Sequence, residues 1–428
     1  MYNLRHTFQA ANAELAQKPL LARVFFVFWL LGPLIYLIER SPADIWLSLI
    51  GLTFLGRSIV TNDWRWTKLF WVQMVGLFWG ALFLSALFSP LPAEAASEAA
   101  IWVRFPLFAV ATLHWLGRNP ALLRMLLLST AMGLTVLGLI LLAELYVNFA
   151  VWSTPGTQGG RLTWPYGDPV PGNYLAKLGL VVVVALAAIV SGQNKVNSRI
   201  AFAAFIALLA MTILTGERIN SILVLSSFGL ALVWLNLHRI KFLAGIFGLT
   251  AIVVSTAISS NDFLRLKFTT NFIDGLFNVA NSGYYHLWNT GLEIFKLAPV
   301  TGIGAGMFRT LCQEIQFPSD VIARCDNHPH QYYIQIMSES GIVGLFAFVL
   351  MVASLIYYIW RNGHGTNDKF RQVCFIVPLA LFFPVQATAD VFGQWINLMI
   401  WYSIALALTC SKVTILNGSG SNTVDRQP

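Results

Sequence analysis

The chain has 428 residues, 57% hydrophobic and only 11% charged, with a formal net charge of +8. A soluble domain carries roughly 25% charged residues, so this composition excludes an ordinary soluble globular enzyme. The long, uniformly apolar runs also exclude barrel strands, which alternate over about 10 residues. Helices and closed barrels alone satisfy their backbone groups in lipid, so the expected class is an all-α polytopic membrane protein. The positive charge calls for no nucleic-acid partner, because basic cytoplasmic loops face an anionic membrane surface.

Tested against the roughly 20 residues needed to cross a bilayer, twelve runs predict transmembrane helices. They lie near 22–38, 45–60, 69–88, 99–117, 121–148, 174–191, 199–214, 220–236, 242–259, 331–359, 372–389 and 394–411. The first is followed by no small-residue cleavage site and reads as a retained helix, not a signal peptide. Residues 1–411 thus form one transmembrane domain, and the Gly/Ser-rich residues 412–428 read as a disordered cytoplasmic tail. With the N-terminus inside, most of the 27 basic residues fall in inside segments, among them Arg57, Arg65, Arg118, Lys195, Arg239 and Arg361. Both termini are therefore expected in the cytoplasm. The two large loops, 149–173 and 260–330, then lie outside. The second is rich in aromatic and apolar residues (FIDGLF, YYHLW, GLEIF) and predicts short amphipathic helices at the membrane surface. Cys312 and Cys325 share that loop, where an oxidising compartment permits a disulfide. Spacing does not decide whether they pair, and no Cys/His spacing suggests a metal site.

In this topology the outer face collects basic residues that insertion energetics do not place there. Arg218 sits in the turn between the seventh and eighth runs and Arg161 in the first outer loop. Lys177 and Arg104 lie near outer ends of spans, and Arg265, Lys267, Lys296, Arg309 and Arg324 in the long loop. Ionisable groups in or near spans are functional candidates. Arg218 has a competing reading as a local pair with Glu217, and snorkelling to headgroups accounts equally for Lys177 and Arg104. Guanidinium groups bind phosphate oxygens bidentately, so the fitting ligand is a lipid with a phosphate or pyrophosphate head. Asp390 stands in the tight turn before the last run.

The segment 326–344, DNHPHQYYIQIMSESGIVG, places His328 and His330 at the outer mouth of the tenth run. Asn327 and Pro329 suit a helix start, so the helix is expected from about His330. Gln331, Gln335 and Ser338 then form one polar stripe, and Gly341 and Gly344 would let a neighbouring helix approach. Imidazole titrates near neutral pH, which suits a general base acting on a hydroxyl. A helix-start histidine bonded to a loop carbonyl is the other reading. The glycines 302, 304 and 306 follow no strand, so they read as a tight turn and not a nucleotide loop.

His330-Gln331, nine residues, then Gly341-Ile-Val-Gly344 resembles the H[NSQ]-x9-GxxG signature of bacterial O-antigen ligases, which are related to O-antigen polymerases. LAPVTGIGAGMF, residues 297–308, is similar to that family's P-x-x-G-x-G segment, and Arg218 stands where the family carries an arginine. The region of resemblance is 205–345. Relatives often carry Ser-Gly-Arg-x-x-x-Trp in the long loop. Here Ser282-Gly283-Tyr284-Tyr285-His286-Leu287-Trp288 lacks that arginine, and Arg265 is the expected replacement.

The resemblance implies a GT-C-like, multi-spanning lipid-linked-sugar glycosyltransferase in the bacterial inner membrane with a periplasmic site. Its donor would be an undecaprenyl-diphosphate-linked O-antigen glycan and its acceptor lipid A-core. His330 and Arg218 are the expected catalytic residues. Arg161, Arg265, His328, Asp390 and Gln331 are the expected substrate-binding residues. Neither a cofactor nor a metal is expected. An O-antigen polymerase uses the same donor and remains open. A protein-directed oligosaccharyltransferase is disfavoured because many carry a large C-terminal domain, whereas this chain ends soon after its last run. A transporter would place charges near the midplane in paired halves, whereas here they gather at one face.

Overall fold

The apolar runs fold as helices whose ends are set by proline and asparagine. Pro92 and Pro120 open two of them, where a missing N–H does no harm. The Asn194 side chain caps another by accepting from the Val196 and Asn197 N–H groups at 3.0 Å. Arg40–Thr61 stops at Asn62, whose φ of 49° is left-handed. The computed structural model describes residues 4–147, 162–163, 171–259, 262–270, 283–319, 321–384 and 390–415. Among these there is no strand.

Among the described residues, eight helices are long and apolar enough to cross a membrane: Arg40–Thr61, Phe70–Leu87, Pro92–Arg118, Pro120–Val147, Lys195–Leu214, Arg218–Asn236, Ile240–Ser259 and Tyr332–Gly363. Pro171–Leu178 and Leu180–Val190 make a ninth if the 51° bend between them lies within one span. Leu20–Leu30 and Gln394–Cys410 are shorter apolar helices. The run predicted at 372–389 is broken into Lys369–Val373 and Ile376–Leu381, with 385–389 outside the described residues. The chain is thus an all-helical, multi-pass membrane protein.

Burial ranks these helices in a way hydropathy does not. Gln394–Cys410 is sunk in the bundle, with every residue from Asn397 to Cys410 buried. Its polar side chains and carbonyls are met from all sides. Tyr36 donates to the Leu398 carbonyl (2.9 Å), Tyr402 and Thr130 share a hydroxyl bond (2.8 Å), and Ser403 reaches the Lys177 and Leu178 carbonyls. Ile240–Ser259 buries only Leu243 and Thr250, which leaves most of its surface to lipid.

The long segment between Ile240–Ser259 and Tyr332–Gly363 has a structure of its own. Gly283–Leu297 is an amphipathic helix and Cys312 is disulfide-bonded to Cys325. Ile294, Ile303, Met307, Phe308 and Leu311 form a small core with Ala86 and Ala95. This satellite cluster seats the segment on the ends of the Phe70–Leu87 and Pro92–Arg118 helices.

Candidate active site

His330 does not begin a helix. Its φ is 57°, and apart from Asn62 it is the one non-glycine residue among the described residues with a left-handed backbone. Helical geometry starts at Tyr332. Gln331 is the cap: its Oε1 accepts from the Ile334 N–H at 2.7 Å, and its Nε2 donates to the Pro384 carbonyl at 2.7 Å. The expected start at Asn327–His330 is therefore corrected. The local reason is that a glutamine carbonyl satisfies the first-turn donor, so the two histidines stay in the preceding loop. A left-handed conformation at a non-glycine residue costs on the order of 1–3 kcal/mol and recurs at functional sites.

The half-buried His330 ring packs on His328 (centroids 4.1 Å apart) and edge-on to Tyr284 (5.7 Å). Its Nε2 is 3.8 Å from the Asp326 Oδ2, a charge contact too long for a hydrogen bond. His328 is buried. Asp326 escaped the sequence reading, because the contact is made in a loop, where spacing does not announce it.

The polar stripe of the Tyr332–Gly363 helix turns inward. Gln335 Nε2 donates to Asp390 Oδ1 (2.6 Å) and to Glu339 Oε2 (3.1 Å), while its Oε1 accepts from the Val391 N–H (3.0 Å). Glu339 Oε1 accepts from the Phe308 N–H at 2.8 Å. Glu339 is buried and was missed, although a carboxylate inside an apolar run is itself a signal. Asp390 also stands 4.0 Å from Arg309, which pairs with Glu98.

The GxxG pair is not a helix–helix seam. Gly341 has φ 64° and breaks the helix. In an unbroken helix the N–H groups of Ile342 and Val343 would bond the carbonyls of Ser338 and Glu339. Here Ile303 and Gly304 donate to those carbonyls (3.1 and 2.9 Å), and Ile342 and Val343 donate to Pro299 and Val300 (2.9 and 3.4 Å). The P-x-x-G-x-G loop thus substitutes, bond for bond, for the missing turn. A side chain on Gly341 would strike the Val300 carbonyl, and one on Gly302 the Glu339 backbone.

Arg218 opens its own helix, half-buried, with no hydrogen-bond or ion-pair partner among the described residues. The competing reading, a local pair with Glu217, is not what the structure shows. Glu217 instead accepts from the Gly172 N–H (2.8 Å) and from Asn220 (2.5 Å). Asn220 also donates to Asn173, which accepts from Lys177 Nζ at 2.7 Å. Lys177 is therefore held by protein and does not snorkel. Arg104 is likewise paired, with Asp44 at 2.8 Å. Arg265 is exposed and paired with Asp262, and no contact brings it to His330. Arg161 lies outside the described residues. Just beyond it, the Thr163 N–H and hydroxyl donate to Glu144, both at 3.0 Å. No contact joins Arg218 directly to His330. His328, His330 and Tyr284 come together, and Asp390, Gln335, Glu339 and Arg309 form the network beside them.

No curated protein matches the chain. Residues 203–349 match the family described as O-antigen ligase. That segment carries Arg218, the glycine loop, His330-Gln331 and the Gly341 break, so the part of the chain that holds the candidate site is similar to the O-antigen ligase family.

Proposed function

We propose that the protein transfers an O-antigen glycan from undecaprenyl diphosphate to a sugar hydroxyl of lipid A-core. The reaction takes place at the periplasmic face of the inner membrane, in a chain of twelve spans with a GT-C-like plan and both termini in the cytoplasm. His330 Nε2 takes the proton of the acceptor hydroxyl, and the oxygen attacks the anomeric carbon. The bond from that carbon to the diphosphate oxygen breaks, and the diphosphate leaves with the electron pair. One displacement inverts the anomeric centre. Arg218, joined by Arg161, stabilises the charge growing on the diphosphate, and the reaction needs no divalent metal. Asp326, whose Oδ2 lies 3.8 Å from the same nitrogen, balances the charge of His330 once it is protonated.

The observation that carries this reading is the left-handed His330, held between His328 and Tyr284 instead of being absorbed into a helix. Arg218 supports it, because a cation with no counter-ion among the described residues suits an anionic ligand. The disulfide fits an oxidising outer compartment.

The test is transfer in reconstituted membranes. His330→Ala and Arg218→Ala should each reduce kcat by on the order of 10²–10³, with thermal stability unchanged and full wild-type turnover retained in chelator. Full activity of both variants would remove the proposed site. Deleting the gene separates ligase from polymerase. A ligase leaves long polymer on the carrier lipid and short lipopolysaccharide. A polymerase leaves a core bearing a single repeat.

A further inference from the structure

A cavity of about 300 Å³ opens beside the network just described. Asp44, Glu98, Trp102, Arg104, Arg309 and Gln394 line it. Asp44, Glu98 and Gln394 sit near the first residues of the Arg40–Thr61, Pro92–Arg118 and Gln394–Cys410 helices. Arg104 lies further along the second of these. The cavity is therefore at the end of the bundle where the Tyr332–Gly363 helix begins. Its volume is at the lower end of the roughly 300–1,000 Å³ found for small-molecule sites.

The lining is polar without being charged overall. Arg104 Nε donates to Asp44 Oδ1 (2.8 Å), and Gln394 Nε2 donates to Asp44 Oδ2 (2.6 Å). Arg309 pairs with Glu98. Two guanidinium groups thus meet two carboxylates, each held in place by its partner. Both guanidinium charges are already balanced by carboxylates, so the lining carries no net charge to attract a phosphate or an ammonium ion. A neutral ring carrying hydroxyl groups would find both donors and acceptors already oriented, with the pairs intact. Trp102 and Phe392 supply apolar wall, and the buried Trp102 indole N–H has no acceptor among the described residues. Buried donors are normally satisfied.

The cavity is also wired to the site. Arg309 stands 4.0 Å from Asp390, and Asp390 accepts from Gln335 at 2.6 Å. Gln335 lies in the first turns of the helix that His330 precedes.

We propose that this cavity is a saccharide subsite that holds one neutral sugar ring of a substrate. The proposal rests on the glycosyl-transfer reading and assigns a binding position within it. The ring belongs either to the core oligosaccharide of the acceptor or to the donor glycan. Both present the same hydroxyl chemistry.

Two variants test it. Ile101 lies on the rim and is 51% exposed, so Ile101→Trp fills the space without overpacking the core. Gln394→Ala removes one donor. Native mass spectrometry of the detergent-solubilised protein is run with two probes: phosphate-free core oligosaccharide and glycan released from the carrier lipid. Wild type should bind one of them, and both variants should weaken it about tenfold, the loss of one or two hydrogen bonds. The probe that binds names the substrate, and the KM for that substrate should rise in proportion while kcat is retained. Binding of neither probe would overturn the proposal, as would binding only of a phosphorylated core or equal binding by both variants. If a probe binds the cavity but wild type transfers no glycan in membranes, the transfer reading fails and the subsite stands.

Discussion

Two stretches of apolar helix are broken near the candidate site, and they are repaired in opposite ways. In Tyr332–Gly363 the break at Gly341 is filled by backbone, with four hydrogen bonds exchanged against residues 299–304. Between Pro171–Leu178 and Leu180–Val190 the chain takes a π turn, where the Gly179 N–H reaches the Tyr174 carbonyl at 3.1 Å. There a single hydroxyl, Ser403, covers the Lys177 and Leu178 carbonyls at 2.5 and 3.0 Å. The first repair demands left-handed glycines at fixed positions, because backbone meets backbone with no room for a Cβ. The second demands one small polar side chain. A glycine-rich motif and an isolated serine can thus serve the same need, and only the former is visible as a motif.

The sharpest way to break this contrast is Gly341→Ala. It combines an unfavourable φ with a collision against Val300, so stability should fall by about 3–5 kcal/mol, read as lost monodisperse protein and a lower melting temperature in detergent. A melting temperature within a degree of wild type would refute the bond-for-bond account. Next, Cys312→Ser releases the strap that follows the glycine loop. It should lower stability by about 2–4 kcal/mol, and a reductant should do the same to wild type and nothing further to the variant. Ser403→Ala leaves two buried carbonyls short of a donor and should cost about 1–2 kcal/mol, well below the glycine variant. The smallest effect on stability should come from the two left-handed non-glycine residues among those described. Asn62→Gly should leave both stability and transfer within a few tenths of a kcal/mol. His330→Gly relaxes the same kind of backbone and should abolish transfer. Equal activity of the two would reduce His330 to a turn residue.

The apolar helices were legible because a bilayer demands long apolar runs: helix is found in each predicted run, and among the described residues eight helices, or nine with the bent pair, are long and apolar enough to cross. What hydropathy does not carry is rank. The sequences of Gln394–Cys410 and Ile240–Ser259 are both apolar, yet one is buried on all sides and the other faces outward. Lipid and protein interior present the same apolar solvent to a leucine, so the pattern cannot tell them apart. At the site, the histidines and Arg218 stood out as polar groups out of place. Gln331 stood out equally and is a cap, because an amide suits a ligand and a helix end alike. Asp44, Arg104 and Gln394 meet across up to 350 residues, and no local spacing announces such a meeting. The glycine loop and the GxxG were each readable as motifs. Their mutual docking was not, because it consists of backbone hydrogen bonds that name no side chain.

That docking has a consequence for biogenesis. Residues 299–304 leave the ribosome before residues 338–343 do, so the patch waits for the helix it will mend. Until the two meet, the carbonyls of Ser338 and Glu339 and the amides of Ile342 and Val343 lack their final partners. In hydrocarbon each unmet group costs several kcal/mol. The Tyr332–Gly363 helix therefore cannot settle as an independent membrane insert. It becomes a stable transmembrane element only once residues 299–304 have docked on it, so completing the bundle waits on the segment that precedes the helix.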